Sequence, residues 1–95
     1  MEYQLSELAR NDLEDIWEYS FKNWSIKQAD KYITQIIKEI ENICQNPLIG
    51  KSISTIKPNH RMLRVNFHLI IYKVASDGLK VDRILHERMD FENQF

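Results

Sequence analysis

Residues 61–90, RMLRVNFHLIIYKVASDGLKVDRILHERMD, decide the fold of this chain. They read as three short strands, at about 61–67, 68–74 and 79–86. The middle one, His68-Leu69-Ile70-Ile71-Tyr72-Lys73-Val74, is apolar on both faces and rich in β-branched and aromatic residues, as a central strand should be. Ser76-Asp77-Gly78 supplies the hairpin turn into the last strand, since Asp-Gly tolerates positive φ. That strand ends in a dense polar cluster, Arg83-Ile84-Leu85-His86-Glu87-Arg88-Met89-Asp90. Charges at the end of an apolar strand are costly unless they face water, pair with each other or meet a partner. Alternation through the first strand puts Leu63, Val65 and Phe67 on one face. Arg64, Asn66 and, on the next strand, His68 are candidates for the other.

Upstream lie two helices. Glu2 to Ser6 alternate polar and apolar and suggest a short N-terminal strand, with Ser6 placed to cap the first helix. Leu13, Ile16, Trp17 and Ser20 make a stripe at helical spacing, with Trp17 expected in the core. Lys22-Asn23-Trp24 breaks the pattern. Ser25 and Gln28 then form a capping box. Ala29, Ile33, Ile36, Ile40 and Ile43 continue at alternating spacings of four and three, widened by Tyr32, Ile37 and Cys44. Asn46-Pro47 ends this helix, because the residue before proline is steered out of helical geometry. Residues 46–60 read as a long linker. The order is β-α-α-β-β-β, an α+β fold with a helical hairpin on one face of an antiparallel sheet. A chain of 95 residues is enough for one domain, residues 1–95.

Composition narrows the function classes. An apolar fraction of 43% excludes a disordered chain. No apolar run approaches membrane-spanning length, and the N-terminus lacks the features of a signal peptide. A lone cysteine, Cys44, points to a reducing compartment, so a cytoplasmic protein is expected. The first fifty residues carry five Lys/Arg against nine Asp/Glu, and the rest eight against five. Lys51, Lys57, Arg61 and Arg64 form a basic segment with His60 beside them and no acid between. Four charges are too few to dominate a nucleic-acid contact, so a solvated loop or an acidic protein partner suits them better.

Several chemistries compete for the polar cluster. His60, His68 and His86 lack compact ligand spacing, so no metal is expected. Cys44 closes an apolar seam and reads as a packed thiol. Ribonuclease chemistry would need an acid, a base and cations for the developing phosphorane charge. His68, His86 and Glu87 could supply the first two, and Arg61, Arg64 and Arg83 the third. The plainer alternative is that Arg83, Glu87, Arg88 and Asp90 pair locally while His86 donates a structural hydrogen bond. A binding module is the other class: Tyr19 and Phe21 lie off the stripe and are candidates for exposure in a partner-binding patch, together with Lys51, Lys57, Arg61 and Arg64.

Taken in order, Leu5-Ser6, Asp12-Leu13, Ile16-Trp17, Trp24-Ser25 with Gln28-Ala29, Asn46-Pro47 with Gly50, Arg61, His68, Ile71-Tyr72 and Arg83-Ile84-Leu85-His86 with Arg88-Met89-Asp90 resemble the ParE toxins of the ParE/RelE toxin–antitoxin superfamily. The resemblance implies the helical hairpin on a sheet inferred above. It also implies a ParD-like antitoxin as partner in a hetero-oligomer, DNA gyrase as target, no cofactor and no sequence-specific nucleic-acid binding. The related RelE branch comprises ribosome-dependent mRNA endonucleases, for which His68, Arg83 and His86 would be the catalytic candidates here. The tail Phe91-Glu92-Asn93-Gln94-Phe95 lacks the Tyr, Lys or His of that branch, and the net charge of -1 is a poor start for gripping ribosomal RNA.

Overall fold

Two helices pack across a five-stranded sheet in a computed structural model that describes residues 1–89 and 92–95. The elements are β1 (Tyr3–Leu5), α1 (Glu7–Asn23), α2 (Ile26–Gln45), β2 (Lys51–Ser52), β3 (Arg61–Val65), β4 (His68–Ala75) and β5 (Gly78–His86). The sheet order is β1-β5-β4-β3-β2. The α+β hairpin-on-sheet architecture is as expected, with two refinements. The sheet is mixed, because β1 runs parallel to β5. Lys51-Ser52, inside the expected linker, adds a two-residue edge strand against β3.

Both helix starts are set by serine hydroxyls. Ser6 Oγ accepts from Ala9 N–H, and Ser25 Oγ from Gln28 N–H. Each satisfies one of the orphan donors of a first helical turn, worth about 1 kcal/mol. Only Trp24 and Ser25 separate α1 from α2, so the helices fold back as an antiparallel pair. Ile36, Ile40 and Ile43 of α2 are fully buried against Ile70 and Tyr72 of β4 and Leu79, Val81 and Ile84 of β5. Each such aliphatic side chain contributes roughly 1.5–3 kcal/mol on burial. The opposite sheet face carries a smaller cluster, Ile53, Ile71 and Leu85 with Met62 and Leu69, partly covered by the loop after β2. Buried His60 pins that loop: Nδ1 meets Pro58 O at 2.7 Å and Nε2 meets Asp82 Oδ2 at 3.0 Å.

The facing expected for the first strand holds for Leu63 and Val65, both on the helix side. It fails after them. β3 stops at Val65, because Asn66 adopts φ 51° and starts a tight turn. Asparagine tolerates this left-handed region better than most residues. Phe67 is therefore a turn residue, 58% exposed, and not a core one. The turn also brings His68 opposite Val65, onto the helix face and not the solvent face. At the other hairpin Gly78, not Asp77, takes the positive φ (137°), and a Cβ there would sit 2.6 Å from Glu2 O.

In β5 one extra residue, Asp82, interrupts the ladder between Val81 and Arg83. β1 stops pairing at Val81, which leaves the edge of β5 beyond it open. Asp12 of α1 fills that gap, accepting Ile84 N–H at 2.9 Å and both Nε–H and an NH2 group of Arg83 at 2.9 Å.

Candidate functional site

A groove of about 1180 Å³ opens between the helical hairpin and the ends of β4 and β5. The α1–α2 turn supplies one wall, with Tyr19, Trp24 and Gln28. The β3–β4 turn and the residues after β5 supply the other, with Phe67, Glu87 and Arg88. Tyr32, His68 and His86 also line it. Tyr19, Trp24 and Phe67 are 61%, 66% and 58% exposed, so the walls are aromatic and open to solvent. Tyr19 and Trp24 meet edge to face at 5.9 Å.

The polar lining is a connected set. Tyr32 Oη lies 2.6 Å from His68 Nδ1 and also accepts the Phe67 N–H at 3.3 Å. The Tyr32 hydroxyl has no other acceptor among the described residues, so its proton is assigned to His68 Nδ1. His68 and His86 face each other across β4 and β5, with ring centroids 5.1 Å apart. His86 Nδ1 accepts the Arg88 N–H at 3.1 Å. Burial, helped by the nearby His86, holds His68 down at about 4, despite the opposing pull of Asp12 and Glu87. Burial likewise raises the Tyr32 phenol, against the Phe67 N–H and with Glu87 adding to it. Both groups are thus neutral at pH 7, with Tyr32 as donor.

This has a measurable consequence in acid. The unfolded chain takes up a proton at His68 near the ordinary value of 6.5, the folded chain only near 4. Stability from this residue is therefore complete above about pH 6.5 and lost as pH falls towards 4. Solvent reaches part of the ring, so the expected contribution is about 1–2 kcal/mol, below the full linkage value. Denaturation of His68→Phe at several pH values checks this. Its stability should fall less steeply than the wild type's between pH 6.5 and 4.

The ribonuclease candidates are not brought together as a set. His68 and His86 are neighbours, but Arg83 is held by Asp12, which raises its pKa. Arg64 pairs with Glu87. Arg61 donates to Gly50 O at 2.8 Å. The locally paired cluster expected at the chain's end is likewise corrected. The partners of Arg83 and Glu87 come from α1 and β3, and His86 accepts a backbone bond instead of donating one. Asp90 lies outside the described residues.

Of the partner-binding candidates, Tyr19 lines the groove. Phe21, 43% exposed, stacks on Trp17 at 5.3 Å. Trp17 is half-buried, not in the core, and donates to Asp30 Oδ1 across the hairpin. Lys51 is exposed on β2. Lys57 reaches Asp82 Oδ2 at 2.7 Å and lies 4.6 Å from the centroid of the Phe95 ring. Burial pushes Asp82 up, but Lys57 and His60 together outweigh it and leave the carboxyl below its ordinary value. Cys44 is buried, and burial raises its thiol, as befits a packed cysteine.

Sequence reasoning missed Tyr32 and Phe67 as groove residues. Tyr32 sits at the rim of an apolar stripe, and its hydroxyl, which needs a partner there, was the available signal. No described residues group as three or more possible metal ligands.

Comparison with known proteins agrees with this architecture. The family model for the ParE toxin of type II toxin-antitoxin system, parDE, matches residues 3–91. Toxin ParE1 of Mycobacterium tuberculosis is 35% identical over 91 residues, covering 95% of this chain and 93% of that one. Toxin ParE1 of Caulobacter vibrioides is 33% identical over 90 residues, covering 93% and 91%. A solved chain of the chromosomal ParDE TA system from P. aeruginosa superposes with a TM-score of 0.79 at 18% identity, over 90% of this chain and 95% of that one. The chain belongs to the ParE toxins of type II toxin–antitoxin systems.

Proposed function

We propose that this toxin acts by protein–protein contact, inhibiting DNA gyrase in the bacterial cytoplasm, and that a ParD-like antitoxin silences it by laying an amphipathic segment in the groove. The observation that carries the reading is the open aromatic groove. Tyr19, Trp24 and Phe67 are each more than half exposed, in a cleft larger than the roughly 300–1000 Å³ of ordinary small-molecule pockets. Exposed aromatic clusters of this kind mark partner sites. An amphipathic helix seated in a groove is the matching mode of recognition.

Plasmid supercoiling by purified gyrase tests the target. Added toxin should suppress supercoiling, and pre-mixing with the antitoxin encoded beside it should restore it. Unimpaired supercoiling at toxin levels that still arrest growth would sink the gyrase reading. Trp24→Ala tests the groove separately, because it should weaken neutralisation in co-expressing cells without unfolding the toxin.

One observation favours a second reading, an mRNA endonuclease: the two imidazoles sit side by side along an open cleft. That reading requires cleaved transcripts in toxin-expressing cells that disappear with His86→Ala. Against it, both Nδ1 lone pairs are engaged and Arg64 and Arg83 are paired away from any phosphate.

A further inference from the structure

We infer that His68 and His86 form a recognition site for a side-chain carboxylate, carried on the amphipathic protein segment that docks in the groove. The inference rests on the reading of the groove as the antitoxin-binding surface and adds what that surface selects for.

A proton inventory leads to it. Tyr32 donates to His68 Nδ1, so a neutral His68 carries its proton on Nε2. His86 Nδ1 accepts the Arg88 N–H, so a neutral His86 does the same. Neither Nε2 has a hydrogen-bond partner among the described residues. The rings meet edge to face, with planes at 85°. Such a pair can turn at most one ring edge onto the other's π face, so at least one N–H is left for the groove.

The surroundings favour an anion over a neutral acceptor. Exposed Arg88 lines the same wall, and its side chain is in no ion pair among the described residues. The nearest carboxylate on that wall, Glu87, is already neutralised by Arg64. The wider groove disfavours a nucleic-acid strand, which would bring a phosphate at every nucleotide past Asp15. One carboxylate on an otherwise apolar helix meets both demands: aromatic walls for its stripe, and Nε2–H donors with Arg88 for its acid. An apolar residue at that point would strand the donors without an acceptor.

A phage-displayed library of random peptides of roughly 16 residues, about four helical turns, selected on immobilised toxin, tests this. Selected peptides should combine apolar residues at helical spacing with one Asp or Glu at a fixed offset. Replacing that acid by Ala should weaken binding to the wild type by about 10- to 100-fold. The same replacement should cost little against a toxin carrying His68→Leu and His86→Leu. His86→Gln, whose side-chain amide can still donate, should retain the preference and guards against a folding defect in the double variant. Peptides that need Trp24 but show no acid, or whose acid matters equally to the leucine variant, overturn the carboxylate site and leave groove docking intact. Peptides insensitive to Trp24→Ala and Phe67→Ala overturn groove docking as well. An oligoribonucleotide that displaces the peptides at comparable affinity would replace the carboxylate with a phosphate and refute the proposal.

Discussion

Asp12→Ala is expected to destabilise the toxin by about 3–5 kcal/mol, the usual cost of removing one partner from a buried ion pair. The Asp12 and Arg83 side chains are only 12% and 17% exposed. Loss of the carboxylate leaves the guanidinium without its bidentate acceptor and the Ile84 N–H without any. In a chain of this length the melting temperature should fall by at least about 12 °C. Asp12→Asn keeps an acceptor for Ile84 but sets an amide against the guanidinium, so its loss should be intermediate. Adding Arg83→Met to Asp12→Ala removes the orphaned charge and should recover part of the stability. Urea denaturation of the four proteins checks the series. If Asp12→Ala costs less than about 1 kcal/mol, as an exposed pair would, the role assigned to Asp12 is wrong.

Tyr72→Phe is the second large effect, expected at about 2–3 kcal/mol from one buried and one part-buried backbone group each losing a partner. Tyr72 is fully buried, and its hydroxyl does two jobs. It accepts the Gly50 N–H at 2.9 Å and donates to Pro47 O at 2.8 Å. Arg61 adds a third tie, to Gly50 O. The segment after α2 is thereby fastened to the sheet. Gly50→Ala attacks the same anchor from the other side, because its Cβ would lie 2.5 Å from Tyr72 Oη and 3.0 Å from Met62 O. The two changes share one set of contacts, so their costs should not add in the double variant. Additive losses in thermal denaturation would show that the hydroxyl and the glycine act independently.

These anchors explain what the sequence could and could not disclose. Helix starts were legible because capping is local: Ser6 and Ser25 act within three residues of themselves. The isoleucine seam of α2 was legible because one face of a helix repeats regularly. The Asn66-Phe67 turn was hidden because apolar alternation runs through it, and only the backbone at Asn66 marks the break. β2 is two residues long, too short for any pattern. The parallel pairing of β1 depends on a partner strand 76 positions away. The site divides in the same manner. His68 and His86 stood out by residue type, whereas the pairing of Arg83 depends on Asp12, 71 residues earlier. The Asn-Pro…Gly portion of the family pattern marks an anchorage to Tyr72.

The pairing of β1 with β5 also orders events in time. The N-terminal strand has no partner until residues 79–81 have left the ribosome, and Ser6 cannot bond Val81 O or Asp82 O before then. The hairpin of α1 and α2 needs only local contacts and can form first; closure of the sheet around the chain's own beginning is expected last. Contacts made after the folding barrier affect unfolding more than folding. Asp12, which seals that late seam, is thus expected to set how long a folded toxin lasts and to have little influence on how fast one is made.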